Sequence, residues 1–183
     1  TLTLSVDTVR PTIAITSDAS SLKAGETTTV TFTLSEAASD FIEDDISVSG
    51  GELSSFASSS STVYTATFTP TADSTTDGVI SVASSKFSDS AGNTNADGSD
   101  SNNTLTLSVD TVRPTIAITS DASSLKAGET TTVTFTLSEA ASDFIEGDIS
   151  VSGGSLSSFA ASSSTVYTAC LLYTSDAADD TPC

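Results

Sequence analysis

The chain repeats itself with a period of 103 residues, and this repeat constrains its fold more than any other feature. The stretch TLTLSVDTVRPTIAITSDASSLKAGETTTVTFTLSEAASDFIE begins at Thr1 and again at Thr104. Residues 1–66 and 104–169 differ at three positions: Asp44 against Gly147, Glu52 against Ser155, and Ser58 against Ala161. Self-similarity at a fixed period is the signature of one structural unit used several times. The sequence therefore predicts one domain type arranged in tandem.

The repeat divides the chain into segments. We predict that residues 1–10 are the last strand and the junction of a preceding repeat, that 11–113 form a complete repeat, and that 114–169 form a truncated second repeat. A unit of about 100 residues is a usual size for a domain with its own core. The second copy stops before the strands that close the first, so we do not expect it to bury the same core.

Residues 170–183 break the repeat. Identity to the first copy stops after Ala169, and CLLYTSDAAD at 170–179 resembles the translation of a transposon-end sequencing adapter. We interpret this tail as non-native and leave it out of the fold prediction. Regular structure is then expected to end near Ala169, unless LLYTS imitates the lost end of a strand. The alternative is a disulfide-closed loop between Cys170 and Cys183, the two cysteines of the chain.

Apolar and polar residues alternate along most of the complete repeat. Alternation with period two predicts half-buried strands, and it occurs in TIAIT, TTVTFTLS, DISVSG, ELSSFA, VYTATFT, DGVISVAS and TLTLSVD. Turns rich in Gly, Asn, Asp and Ser separate these seven segments. Seven short strands in about 100 residues are typical of an immunoglobulin-like sandwich. We therefore predict an all-β fold of tandem immunoglobulin-like antiparallel β-sandwich domains.

Several motifs of the repeat resemble those of the bacterial immunoglobulin-like repeats of large surface adhesins, including the extender repeats of biofilm-associated proteins. The most specific are DTVRPT at 7–12, TLSE at 33–36 and DSAGN at 89–93. The resemblance implies tandem β-sandwich modules in a long bacterial protein that is secreted or held at the cell surface. Such modules are often stiffened by calcium. The resemblance does not imply an enzyme.

The charge balance excludes some classes of function. The chain carries 24 acidic against 5 basic side chains, which gives a net charge of −19 at pH 7. Nucleic acid requires a basic surface, so we expect no nucleic-acid partner, and we expect no direct membrane contact either. The sequence contains no histidine, which is the usual general base and the commonest zinc ligand. We therefore predict that the chain is not an enzyme.

Acidic side chains are predicted to converge at one pole of the sandwich. In an immunoglobulin-like topology, the incoming junction, the loop after the second strand and the loop before the last strand meet at the same end. Calcium binds six to eight oxygen ligands, mostly carboxylates and carbonyls. We therefore predict calcium at the domain junctions, on Asp7, Glu36, Asp40, Asp45 and Asp89 and, in the second copy, on Asp110, Glu139, Asp143 and Asp148. The alternative is that these residues are solvated loop acids.

Two further acidic positions are weaker candidates. Asp44 is replaced by Gly147 in the second copy, so we interpret it as dispensable. The pattern Asn93-x-Asn95-x-Asp97-Gly98 is similar to the start of an EF-hand loop, but the glutamate that such a loop needs at its twelfth position is absent. We interpret the rest of this loop as flexible, and Asp89 is the one ligand that we predict from it.

Different functions remain open at this point. The favoured one is a structural extender whose partners are the neighbouring repeats of the same chain, while a host or surface ligand is bound through other domains. The alternatives are a repeat that itself binds a carbohydrate or protein partner, and an accessory module of a secreted enzyme. A carbohydrate site is expected to expose aromatic rings. Tyr64 and Tyr167 lie in the inward register of their strand, which favours the extender.

Overall fold

The computed structural model describes residues 2–174, and it divides the chain into two compact units between Arg113 and Pro114. The described residues form β-strands and three short 3-10 turns, Glu43–Asp45, Ser101–Asn103 and Glu146–Asp148. Among them there is no helix that is long and apolar enough to cross a membrane. The prediction of an all-β fold is confirmed.

The first unit is a sandwich of two four-stranded sheets. One sheet has the order β1-β3-β6-β5, formed by β1 (Ile13–Ser17), β3 (Thr28–Leu34), β6 (Val63–Pro70) and β5 (Gly51–Ser58). The other has the order β2-β8-β7-β4, formed by β2 (Ser21–Lys23), β8 (Thr104–Asp110), β7 (Gly78–Val82) and β4 (Ile46–Ser49). All neighbours pair antiparallel except β2 and β8, which are parallel.

The first unit has eight strands, and the sequence pattern predicted seven of them. The one that it did not predict is the parallel strand β2. After β1 the chain turns, because Ser17 Oγ donates a 2.6 Å hydrogen bond to the carbonyl oxygen of Ala19 and the Ala19 N–H donates to Thr28 Oγ1 at 3.1 Å. This turn moves the chain from one sheet to the other, where Leu22 is buried. A strand of three residues is too short to show a period-two pattern.

The core lies between the two sheets. The inward residues of β1 and β3 meet those of β7 and β8, and the deepest side chains include Ile13, Phe32, Phe68, Ile80 and Leu107. Aromatic rings fill one end of this core, where Phe41 makes edge contacts with Phe32, Phe56, Tyr64 and Phe87. Such pairs add to the stability that apolar burial provides. The alternating residues of the predicted strands thus form the interior of the sandwich.

In its described part, residues 114–174, the second unit has one sheet, with the order β11-β12-β10-β9. Its strands are β9 (Ile116–Ser120), β10 (Thr130–Leu137), β11 (Gly154–Ala161) and β12 (Val166–Tyr173), and they correspond to β1, β3, β5 and β6. Residues 124–126 and 149–152, the counterparts of β2 and β4, are not strands. In the first unit, β2 pairs with β8 and β4 pairs with β7. Residues 114–174 contain no equivalent of β7 or β8.

Strand β12 corrects the expectation that regular structure ends near Ala169. Residues 170–173 continue the strand, and Cys170 and Leu171 pair with Thr132 and Thr131 of β10. The apolar Leu171 packs against the core of the second unit, as Phe68 does in the first. The segment therefore imitates the lost end of the strand, because it continues the pairing with β10 and places Leu171 against the core. The Cys170–Cys183 disulfide loop involves a residue outside the described range.

Candidate metal site at the domain junction

One group of acidic side chains comes together in residues 2–174. Asp7, Glu36 and Asp89 each bring one carboxylate oxygen within 4.8 Å of the others. Asp7 is exposed, Glu36 is half-buried and Asp89 is buried. We call these three residues the junction cluster. They come from three separate parts of the chain: the segment before β1, the residues after β3, and the loop between β7 and β8.

Asp7 lies in the segment that precedes β1, and two hydrogen bonds fix its position. Its Oδ1 accepts a 3.1 Å hydrogen bond from the Val9 N–H, and its carbonyl oxygen accepts one of 3.2 Å from Asn93 Nδ2. Three residues further on, the Arg10 guanidinium donates to the Thr94 carbonyl oxygen at 3.5 Å. The segment is therefore attached to the loop that carries Asp89.

Glu36 stands two residues beyond the end of β3 and faces the other two carboxylates. Its Oε1 is buried and has no hydrogen-bond partner among the residues that the structure describes. Burial, followed by the negative charges of Asp7 and Asp89, raises the pKa of Glu36 above its ordinary value. A buried carboxylate oxygen without a donor is costly, and a bound cation is one way to satisfy it.

Asp89 is fixed by its own loop. Its Oδ1 accepts hydrogen bonds from the N–H groups of Ala91 and Asn93 at 2.9 and 2.8 Å, and its Oδ2 accepts one of 2.8 Å from Asn93 Nδ2. The side-chain hydrogen bond from Asn93 is the largest cause that lowers the pKa of Asp89, and burial opposes it. Asp89 is therefore held as an anion with its position fixed before any ion binds.

The other predicted ligands of the first unit are directed elsewhere. Asp40 accepts hydrogen bonds from the Ser88 N–H at 3.0 and 3.1 Å and from the Ser88 hydroxyl. Partial burial acts to raise the pKa of Asp40, but the hydrogen bonds from Ser88 outweigh it and the pKa is lowered. Asp45 Oδ2 accepts a 3.0 Å hydrogen bond from the Ile42 N–H at the start of a 3-10 turn. Neither joins the junction cluster.

The predicted ligands of the second copy belong to two different units. Asp110 ends β8 in the first unit, and its Oδ1 accepts a 3.3 Å hydrogen bond from Val112 N–H, the same local turn that Asp7 makes. Glu139, Asp143 and Asp148 lie in the second unit. There Asp148 Oδ2 accepts a 3.0 Å hydrogen bond from the Ile145 N–H, which is the same contact that Asp45 makes with Ile42. Residues 114–174 contain no counterpart of the loop that carries Asp89.

The loop between β7 and β8 is more ordered than the sequence pattern predicted. Asn95 is fully buried: its Oδ1 accepts the Lys86 N–H at 2.7 Å, and its Nδ2 donates to the Ala83 carbonyl oxygen at 2.9 Å and to Asp97 Oδ1 at 3.1 Å. Asp97 Oδ2 then accepts the Ile13 N–H at 2.7 Å. The Asn93-x-Asn95-x-Asp97 pattern therefore builds a rigid support, and its interpretation as a flexible loop was wrong.

The donor set of the junction cluster suits a hard divalent cation. It offers one carboxylate oxygen from each of three residues, and all of these are oxygen ligands. Calcium accepts such ligands in flexible geometry, whereas zinc prefers the nitrogen and sulfur ligands that this cluster lacks. The orphan oxygen of Glu36 and its raised pKa are the two observations that fit a bound ion.

The sandwich topology and the tandem units can be compared with known families. A sequence model of the bacterial Ig-like domain matches residues 7–106 and again 110–182. The chain belongs to the bacterial Ig-like domain family. The two matches follow the two copies of the repeat, and the confirmed fold is the sandwich that the motifs predicted. No curated protein matches the sequence.

Solved structures include a protein that is similar to this bacterial Ig-like chain. It is FdeC, described as a broadly conserved Escherichia coli adhesin that elicits protection against urinary tract infections. The superposition has a TM-score of 0.47 at 18% sequence identity, and it covers 89% of this chain. The chain spans about 55% of the FdeC chain.

Proposed function

We propose that this chain is a structural extender of a large bacterial adhesin, secreted or held at the cell surface, and that calcium stiffens the junction before the complete repeat. In this role it supports cell adhesion or biofilm formation by holding a binding domain at a distance. The observation that carries the proposal is the junction cluster, in which Asp7 precedes the domain while Glu36 and Asp89 belong to it. A cation shared by all three fixes the segment before the domain against the domain itself.

The nearly identical copies support an extender over a binding module. A spacer needs only repetition of a stable unit, and stacked units mainly contact their neighbours. Every Phe and Tyr between residues 2 and 169 is buried or half-buried. This leaves that part of the chain without the exposed aromatic rings on which sugars stack. We accordingly place ligand recognition in other domains and assign no catalytic role to this chain.

Calcium binding is tested by titrating the full chain by isothermal calorimetry and by following thermal unfolding in chelator, calcium and magnesium. Extracellular calcium modules bind at about 10⁻⁴–10⁻³ M. At ten to a hundred times the dissociation constant, calcium adds about 1.4–2.7 kcal/mol to the stability of the first unit. For a domain of this size that corresponds to a rise of roughly 6–20 °C in its unfolding midpoint.

The chain offers a matched control for this test. Glu36→Gln removes a member of the junction cluster, whereas Glu139→Gln makes the same change at the equivalent position of the second unit, which has no counterpart of Asp89. We expect the first variant to lose the calcium response and the second to keep it. If the two variants respond equally to calcium, then calcium does not bind at the junction cluster. Backbone relaxation of residues 4–9 then tests stiffening, which requires their motion to decrease on calcium binding.

A further inference from the structure

The sandwich of the first unit begins and ends at opposite ends of its strands. Ile13, at the start of β1, pairs with Leu34 at the end of β3. Thr28, at the start of β3, pairs with Phe68 near the end of β6, and the loop that follows β6 contacts Thr111, which follows β8. The two points therefore lie at the two ends of β3. Tension along the chain acts along the strands.

The parallel pair of β2 and β8 lies between these two points. Strand β2 follows β1 after a short turn, and β8 is the last strand of the unit. Leu22 pairs with Val109, and the Ser108 N–H donates a 3.0 Å hydrogen bond to the Ser20 carbonyl oxygen. Tension pulls β2 toward its start and β8 toward its end. The hydrogen bonds between the two strands lie across this direction, so they must break together rather than one after another.

Thr111 holds the end of β8 in a second way. It is 3% exposed, and the two residues that follow it in the unit are exposed. Its Oγ1 lies 2.6 Å and 3.1 Å from the carbonyl oxygens of Thr71 and Ser74, to which it can donate, and it accepts the Ser74 N–H at 2.9 Å. The Thr111 N–H donates to the Ser74 carbonyl oxygen at 2.9 Å. We call these hydrogen bonds the exit latch.

The loop that receives the latch, residues 71–77, is fixed to both sheets. It joins β6 of one sheet to β7 of the other. The Thr71 N–H donates at 3.0 Å to the carbonyl oxygen of Gly50, which joins β4 to β5. Gly50 has a φ of +72°, and a Cβ there would collide with the carbonyl oxygen of Asp77. The exit latch therefore fastens the end of β8 to a closely packed corner of the sandwich.

We propose that the exit latch and the β2–β8 pair give the first unit its resistance to tension along the chain, and that they break before the rest of the sandwich when the unit unfolds under force. This inference rests on the proposed function, because an extender transmits tension between its two ends. Interactions that are already broken at the barrier set the unfolding rate, whereas those still intact there do not affect it.

The test is force-clamp unfolding of single molecules of the full chain, held at its two ends in chelator and reductant. Residues 11–111 release about 30 nm when they unfold, so the length of the step identifies the first unit and shows that it was folded. Thr111→Val removes the hydroxyl and keeps the branched shape, while Thr111→Ser keeps the hydroxyl. Tyr64→Phe is the matched control, because it removes a buried hydrogen bond to Ala38 away from the latch.

At equal force, we expect Thr111→Val to unfold about 10-fold faster than the wild-type chain, since the partners of the hydroxyl lose it before the barrier is crossed. Thr111→Ser and Tyr64→Phe should unfold at the wild-type rate. An unchanged rate in Thr111→Val overturns the proposal, and so does an equal acceleration in Tyr64→Phe. Acceleration in Thr111→Ser alone also overturns it, because the methyl group is then what matters. Calcium is absent throughout, so failure here leaves the proposed calcium site standing.

Discussion

Asn93 Nδ2 lies 2.8 Å from Oδ2 of Asp89, and the same nitrogen donates at 3.2 Å to the carbonyl oxygen of Asp7. One amide group therefore orients a carboxylate of the junction cluster and attaches the segment before β1 to it. Groups that position metal ligands typically contribute a factor of 10 to 100 to metal affinity. This relationship leads to the first prediction.

Asn93→Ala should weaken calcium binding at the junction cluster by about 10- to 100-fold, because Asp89 and Asp7 lose their common donor. Calorimetric titration of the full chain measures the change. Asn102→Ala, in the exposed turn before β8, is the control and should bind calcium as the wild-type chain does. Unchanged affinity in Asn93→Ala would show that the amide does not position the ligands.

Glu36→Gln should stabilise the first unit when calcium is absent. The pKa of Glu36 is raised in the folded state, so the folded chain holds this proton more tightly than the unfolded chain and stability falls as the pH rises through that pKa. The stabilising effect of the variant is therefore expected at pH 7 and should vanish as the pH falls toward and below the ordinary value of 4.5. Urea unfolding in chelator between pH 4 and 7 measures it. If the variant is less stable than the wild type at pH 7, then the charge of Glu36 is not destabilised by its burial beside Asp7 and Asp89.

Asp40 and Asp89 should make the first unit acid-sensitive. Their pKa values are lowered on folding, so the stability they provide is complete above the ordinary value of 3.8 and is lost as the pH falls through the folded pKa. Ser88→Ala removes the hydroxyl that donates to Asp40 and should shift acid unfolding to higher pH. Far-ultraviolet circular dichroism during acid titration follows the transition. An unshifted transition would assign the effect to the Ser88 N–H alone.

Ile15→Ala and Ile118→Ala should differ widely in cost although they change the same position of the repeat. Ile15 is buried, so its truncation is expected to destabilise the first unit by about 2–5 kcal/mol. Ile118 is exposed, and its truncation should cost within about 0.5 kcal/mol. NMR signals of each unit, followed during urea unfolding at low protein concentration, measure both. Similar costs would show that Ile118 is covered in the folded chain, as Ile15 is.

Tyr64→Phe should cost the first unit about 1 kcal/mol. The Tyr64 hydroxyl donates a buried 2.8 Å hydrogen bond to the Ala38 carbonyl oxygen, which would be left without this donor. Tyr167→Phe is the matched change, since Tyr167 donates to Ala141 at 2.8 Å in the more open second unit. There water can replace the lost donor, so we expect a smaller cost. The same urea experiment compares the two variants.

The sequence alone determined the strands of the first sheet. The alternating segments around Ile13, Phe32, Leu53 and Phe68 become β1, β3, β5 and β6. The same sheet forms again in residues 114–174, which contain no facing sheet. Period-two alternation is a local property, so it survives when distant residues are absent. The repeat period and the acidic positions of the junction were also visible in the sequence.

The tertiary structure alone decided the second sheet and the membership of the site. Residues 124–126 have the sequence of β2 but form no strand, because a parallel pair needs β8 from more than 80 residues away in the first unit. Asp40 turns toward Ser88, 48 residues along the chain, while Glu36 faces Asp7 and Asp89. Hydrogen-bond partners and burial of this kind depend on which distant segments meet. Identical local sequences can therefore be buried between two sheets in residues 11–113 and lie on a single sheet in residues 114–174.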